Sequence, residues 1–400
     1  MTASGKPNAE HCGGSILASV NAGFAWHPEA RLFDGSGREY FPVTSGALVI
    51  AERPAGLAVA QAIAAGSFRV GGEGPGPVGA FETLTSGSSG SPRRIRRQPA
   101  SWLASFAVNS GLFGIGPGSR VAVLGRLTQS LALYGALEGV HLGAEVHLLE
   151  DQRPDRQMKV LQDQGVALLY ATPAQARLLV EAGGRLPELR FVLIGGSKLD
   201  QGLRAGLAAV APAAVPHEFY GAAEASFITL AGPESPAESV GRAYPGVEIK
   251  VDEAGEIWLK SPYLFEGYAG DPGPARWLGG FLSVGEIGAM RDGYLYLHGR
   301  AGRMVTVADQ NVFPEEIEGF LLGQPGVRQA AVVPVADLRR GVHLVAVVQG
   351  DAGQAAAILA ALRGRLGTLK APKRLIWLED WPVLPSGKTD LRAVAAWVAG

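Results

Sequence analysis

The sequence predicts an α/β protein: a large N-terminal domain of mainly parallel sheets flanked by helices, with a β-rich subdomain, followed by a small α+β domain. Three observations carry this. Between residues 119 and 220, short Val/Leu/Ile runs alternate with stretches of helical length, which is how buried parallel strands and their crossover helices read. After residue 235 the texture changes to short runs broken by Gly and Pro, the pattern of antiparallel strands and turns. A new compact pattern of helices and strands begins near residue 300.

Taken in order, "RVAVLG" reads as a strand, "SLALYGALEGVHLG" as a helix, "AEVHLL" as a strand and "PDRQMKVLQDQG" as a helix. The alternation continues through "VALLYA", "PAQARLLVEAG", "RFVLIGG", "DQGLRAGLAAVA" and "VPHEFYG". Ligands in such sheets collect beyond the carboxyl ends of the strands, so "LIGGS" and "EFYGAAE" are the first places to look for a site. "GVEIKVDEAGEIWLK" and "FLSVGEIGAMRDGYLYLHG" read as antiparallel strands. The last unit has a helix start at "FPEEIEGFLL", strands "QAAVVPV" and "HLVAVVQ", and a helix "AAAILAALRGRLG". A boundary falls at "GRAGR", giving a domain 1–298, a hinge 299–303 and a domain 304–400.

Composition excludes several classes. With 47% hydrophobic and 18% charged residues in 400, the chain has ample apolar surface for a core and is not a disordered chain. A net charge of -1 gives no general attraction to nucleic acid or an anionic membrane. The single cysteine, Cys12, allows no intrachain disulfide and suits a reducing compartment. Apolar runs such as "AGLAVAQAIAA" fall short of a membrane span, and Glu10, His11 and Asn21 stand where a signal peptide would be apolar. A cytoplasmic protein is expected.

"ETLTSGSSGSPRRIRR", residues 82–97, has two readings. Gly/Ser-rich runs are commonly flexible tethers. Here the run lies between a strand-like "AFETL" and a helix-like "PASWLASFAVNSGLFG", the position of a strand-to-helix loop whose bare amides and hydroxyls cradle an anion. Arg93 to Arg97 read as a helix start with phosphate-facing and solvated charges rather than a nucleic-acid patch, since aromatic interleaving is lacking. Ser386-Gly387-Lys388-Thr389 imitates the end of a Walker A loop, but Pro382 occupies the first glycine position, so it is not one. His141 and His147 flank "LGAEV" without a third ligand and read as structural or surface histidines.

Together "TSGSSGSPR", "FYGAAE", "GRAYPGVEIKV", "GEIWLKSPYLFEGY", "GRAGRMVTVADQNVFPEEIE" and "LPSGKTDLRAV" resemble, in order and spacing, the adenylate-forming superfamily of acyl- and aryl-CoA synthetases, peptide-synthetase adenylation domains and luciferases. The likeness spans about residues 80–400. It implies ATP-dependent, AMP-forming activation of an acyl or aryl carboxylic acid with Mg²⁺. Transfer to a thiol follows, either CoA or the phosphopantetheine of an acyl carrier protein. By this resemblance Thr85, Ser86, Gly87, Ser88, Ser89 and Gly90 cradle phosphates, with Arg93 close by. Gly195, Gly196 and Ser197 line the adenine site with Phe219, Tyr220 and Gly221. Glu224 ligates Mg²⁺, Glu286 and Arg300 hold the ribose, and Lys388, on a mobile small domain, bridges the carboxylate and the α-phosphate. The acid is expected around Thr128 to Tyr134 and residues 195–227, where small and apolar side chains favour an apolar body.

The sequence also departs from the superfamily. Arg93 stands for a usual Lys, Ala223 for a Thr, Glu286 for an Asp, and Gly302 for the hinge Asp or Lys. Asp309 replaces a glycine lining the pantetheine tunnel, which favours an amine as an alternative acceptor. Only about 80 residues precede the Gly/Ser loop, implying a shortened N-terminal subdomain. These departures also motivate a third expectation, a catalytically weakened nucleotide- or acyl-adenylate-binding protein.

Overall fold

The computed structural model describes residues 23–72, 74–85, 93–270, 272–307, 310–337, 341–351, 354–384 and 388–399. Its largest sheet has the strand order Glu286–Arg291, Tyr294–Arg300, Arg242–Ala243, Ser226–Ala231, Val215–Ala222, Phe191–Gly195, Leu168–Ala171, Arg120–Val123, Glu145–Leu148, Arg31–Asp34 and Glu39–Tyr40. From Val215–Ala222 to Arg31–Asp34 every pairing is parallel, and both edges are antiparallel. A second sheet pairs Val49–Ile50, Phe68–Val70 and Phe81–Leu84 in parallel, then adds Arg94–Arg97 and Gly267–Tyr268 antiparallel. An antiparallel sheet of Glu248–Val251, Ile257–Lys260, Phe281–Ser283 and Arg276–Leu278 forms the β-rich part.

The helix Ser130–Leu142 is buried from Ala132 to Val140 on every face, because it packs in a core shared by residues of both large sheets. That explains its lack of a polar stripe. Gly135 lets it approach its neighbour: a Cβ there would stand 2.7 Å from the Tyr170 ring. Helices Pro154–Asp163, Pro173–Ala182 and Gln201–Val210 form a separate core. Thr172 and Gln175 close a capping box ahead of Pro173, and the Asp200 side chain caps Leu203, so two helices start at the strand ends that face the site.

The terminal unit has its own cores. Val327–Asp337 pairs antiparallel with Gly341–Gly350, which pairs parallel with Arg374–Trp377. Helices Pro314–Leu322, Ala355–Lys370 and Leu391–Ala399 accompany that sheet. Among the described residues, no helix is long and apolar enough to cross a membrane.

Candidate active site

The carboxyl ends of four parallel strands, Arg120–Val123, Leu168–Ala171, Phe191–Gly195 and Val215–Ala222, open on one cavity of about 410 Å³. This is where an open parallel sheet leaves room for a ligand.

One wall begins at Leu84 and Thr85. The Thr85 amide donates to the Arg93 carbonyl at 2.8 Å, and the Arg93 amide donates to Thr85 Oγ1 at 2.9 Å. Two strands therefore meet at this neck, and the expected strand-to-helix loop is corrected to a strand-to-strand hairpin. Arg94–Arg97 pairs antiparallel with Phe81–Leu84, and the helix begins only at Pro99. Residues Ser86, Gly87, Ser88, Ser89 and Gly90 lie outside the described residues.

The arginine run therefore lies on a strand rather than a helix start; Arg96 is exposed as expected, but Arg97 is not. Alternate strand positions face opposite sides, so Arg97 shares the inward face with Ile95. Arg97 is 1% exposed and donates to the carbonyls of Tyr263 (2.7 Å) and Ala223 and to Ser101 Oγ. Burial holds its guanidinium down to about 9, with Glu224 as the principal opposing charge.

The second wall is made by close approaches. Gly195 is in register with Phe219, and a Cβ on Gly195 would lie 2.1 Å from that ring. The strand Val215–Ala222 bulges between Tyr220 and Gly221. A Cβ on Gly221 would meet the Ser226 carbonyl at 2.2 Å. Ser226 has φ 57°, rare for a non-glycine residue, and its hydroxyl accepts from Trp102 Nε1 at 3.1 Å. Glu224 occupies the turn between these strands and accepts from the Tyr268 hydroxyl at 2.7 Å. Gly195, Gly196, Phe219 and Gly221 line the cavity; Ser197 is exposed beside it. The Tyr220 hydroxyl is buried and has no hydrogen-bond partner among the described residues. Burial raises its pKa, with Glu286 adding to the shift.

Charge gathers around Lys388, although Glu224, Glu286 and Arg300 are not themselves among the lining residues. Glu286 and Arg300 pair in register across a hairpin, and Arg300 Nε donates to Glu286 Oε1 at 2.9 Å. Burial raises the Glu286 carboxyl, opposed by Arg300 and Lys388. For Arg300, burial works against the charge, but Glu286, Tyr220 and Glu224 raise its pKa overall. Lys388 reaches this group from the terminal unit and lines the cavity together with Leu384. Its backbone is fixed by the Leu384 amide donating to the Lys388 carbonyl at 2.8 Å and by a bridge between Val383 and Thr389. Burial and then Arg300 lower the Lys388 pKa, while Glu286 and Glu224 oppose the shift.

Gly302 lies in the turn Ala301–Arg303 without a positive φ, and a Cβ there meets nothing within 4 Å. Arg303 beside it is tied to Glu318 at 2.7 Å and Glu315 at 3.3 Å. Asp309, Ser386, Gly387, His11 and Cys12 lie outside the described residues. His141 Nδ1 accepts from the Ala25 amide, and the His147 ring stacks on Phe33. Among the described residues no group of three or more His, Cys, Asp or Glu is placed to hold a metal.

Sequence reasoning missed Arg97, Trp102, Arg126 and Thr172, all of which line the cavity. The period-two pattern of "RIRR" signals Arg97. Arg126 follows a strand end, as site residues do, but its pairing with Glu52 spans 74 residues and leaves no local trace.

The profile of the AMP-binding enzyme family matches residues 80–269, and that of the AMP-binding enzyme C-terminal domain matches residues 316–388. YhfT of Bacillus subtilis, an uncharacterized acyl–CoA ligase, is 32% identical over 79% of this chain and 68% of its own length. The chain belongs to the AMP-binding enzyme family. It is an adenylate-forming enzyme. Among other family members, the 3-hydroxybenzoate–CoA ligase of an Aromatoleum species is 29% identical over 77% of this chain and 64% of its own. The amide bond synthetase McbA of Marinactinospora thermotolerans superposes with a TM-score of 0.72 at 26% identity, covering 87% of this chain and 79% of that one.

Proposed function

We propose that this AMP-binding enzyme binds ATP and a compact carboxylic acid in the cavity, joins them as an acyl-adenylate, and passes the acyl group to CoA. The observation that carries the reading is Lys388: a lysine from the terminal unit is half-buried in the cavity wall within the fields of Arg300, Glu286 and Glu224. A carboxylate and a triphosphate repel one another, so their meeting requires fixed cations at the point where charge concentrates. Lys388, a compact point charge, suits that point.

In the first step a carboxylate oxygen bonds to the α-phosphorus, the bond to the bridging oxygen breaks, and pyrophosphate leaves with the electron pair. In the second step the thiol sulfur bonds to the acyl carbon, AMP leaves, and the thiol proton goes to water. Thr85 to Gly90 and Arg93 would hold the outer phosphates. Gly195, Gly196, Ser197, Phe219, Tyr220 and Gly221 would hold the adenine, and Glu286 and Arg300 the ribose. Glu224 is the carboxylate available for Mg²⁺. The lack of a protein-only acidic cluster among the described residues fits an ion carried largely by substrate phosphates and water. Bound there, Mg²⁺ would neutralise phosphate charge. A hinge at 299–303, between units 1–298 and 304–400, would withdraw Lys388 after the first step.

Trp102, Tyr134 and Phe227, each at most 3% exposed, line the cavity and belong to the main core, so this wall has little room to yield and favours a compact acid. The similarity to a 3-hydroxybenzoate–CoA ligase supports the same size class. A second reading, an amine as acceptor, is favoured by the likeness to McbA.

ATP–pyrophosphate exchange across aryl, short-chain and long-chain acids tests the first step, and CoA, a phosphopantetheinylated carrier protein and simple amines test the second. Exchange with compact acids and thioester formation with CoA are expected. Absence of exchange with every acid, despite ATP binding, contradicts the ligase reading.

A further inference from the structure

Glu82, Glu138, Glu218, Glu256 and Glu286 are the buried carboxylates among the described residues. Four of them meet cations: Glu82 meets Arg96 at 3.3 Å, Glu218 Lys198 at 3.3 Å, Glu286 Arg300 at 2.9 Å, and Glu256 Arg276. Glu138, with 0% exposure, is met by neutral donors instead. Asn109 Nδ2 donates to it at 2.8 Å, the Tyr134 hydroxyl at 3.1 Å, and the Tyr170 hydroxyl donates to its other oxygen. Behind these, the Tyr244 hydroxyl donates to Asn109 Oδ1 at 2.7 Å, and the Tyr134 and Ser105 hydroxyls lie 2.7 Å apart. Arg97 lies in the field of Tyr134. Such an arrangement is costly, and an apolar side chain of similar size would fill the space at lower cost.

The network bears on the cavity through one ring. Tyr134 lines the cavity, and its ring makes edge contacts with Trp102 at 5.1 Å and Phe227 at 5.3 Å, two other cavity walls. It also contacts Phe106 at 5.0 Å. Edge-to-face aromatic packing is directional, so a fixed Tyr134 fixes its neighbours.

We propose that Glu138 is a positioning residue for substrate selection: its hydrogen bond to Tyr134 holds the aromatic wall of the cavity as a rigid slot that prefers a flat aryl acid to an extended chain. This rests on the reading that the cavity takes the acid. Burial pushes the Glu138 carboxyl up to about 7, against the hydrogen bonds from Tyr170, Asn109 and Tyr134. Ionised, it accepts from all three donors. Neutral, it carries a proton of its own and is a weaker acceptor for these donors. The slot therefore tightens as pH rises through that value.

The test uses the full chain, with benzoate and octanoate as probes, in calorimetric binding and in exchange. Wild type binds benzoate more tightly than octanoate, with affinity rising across neutral pH. Glu138→Ala weakens benzoate about tenfold, leaves octanoate and the KM for ATP unchanged, and so erodes the preference. Glu138→Gln restores most of the affinity without its pH dependence. If Glu138→Ala does not fold, Tyr134→Phe decides, because loss of the hydroxyl reproduces the loss of preference. Variants that bind benzoate as wild type does, with the pH dependence intact, overturn the proposal and leave Glu138 a core residue. A wild type that prefers octanoate overturns it while sparing the ligase reading. Benzoate bound with the expected pH dependence, but never exchanged, upholds the slot and overturns the ligase reading instead.

Discussion

Two regions around the cavity are built on opposite electrostatic plans. Around Lys388, which lines it, Glu286, Arg300 and Glu224 lie within one another's fields, the four residues coming from three segments of the chain. In the aromatic wall, Tyr134 is held by a carboxyl that meets neutral donors and packs edge-on against Trp102 and Phe227. On the proposed reading, the charged group would stabilise charge that moves during a reaction, and the aromatic wall would recognise a shape. Charge there would have to be left behind by water, whereas rings lose little on being desolvated.

The difference can be broken in either region. The largest effect is expected from Lys388→Ala, which should lower adenylation about a thousandfold, because one preorganised donor to developing charge is removed. ATP binding, measured by calorimetry, should stay within a few-fold. In the aromatic wall, Phe227→Ala should act on stability, costing about 3–5 kcal/mol in denaturant unfolding, since it empties a closed aromatic core. Arg300→Met should raise the KM for ATP roughly thirtyfold, the equivalent of about 2 kcal/mol for a charge-assisted hydrogen bond.

A smaller effect distinguishes the two regions by pH. The folded Glu138 carboxyl is raised from 4.5 to about 7, so the folded state binds the extra proton between those values. Its contribution is complete below 4.5 and is lost as pH rises through about 7. Unfolding free energy measured across this window should fall with pH in wild type and less so in Glu138→Gln. Burial and Arg300 lower the Lys388 pKa, so adenylation should lose its cation at a lower pH than an ordinary lysine would lose its charge. The smallest effect is expected from Gly302→Ala, with a melting temperature close to wild type, because the added Cβ meets nothing within 4 Å.

The charged region was the more legible of the two. Strand–Gly–turn segments such as "LIGGS" and "FYGAAE" keep a recognisable pattern, because Gly221 meets Ser226 five residues on and Gly195 meets Phe219 in the adjacent parallel strand. The alternating strands and helices between residues 119 and 220 were legible because burial on both faces writes a continuous apolar run. Arg97 of "RIRR" was misread because charge was weighed ahead of period, and it is buried by carbonyls 126 and 166 residues away. Of the Glu138 network only the four-residue spacing to Tyr134 is local; Asn109 and Tyr170 come from another helix and a strand, 29 and 32 residues away.

The most direct test of the central claim follows one oxygen atom. The enzyme is supplied with ATP, CoA and an aryl acid whose carboxyl group carries heavy oxygen, and the products are read by mass spectrometry. Attack of the carboxylate on the α-phosphorus predicts that AMP carries one heavy oxygen and pyrophosphate carries none. Unlabelled AMP, with the heavy oxygen in pyrophosphate or inorganic phosphate, would contradict activation of the acid as an adenylate.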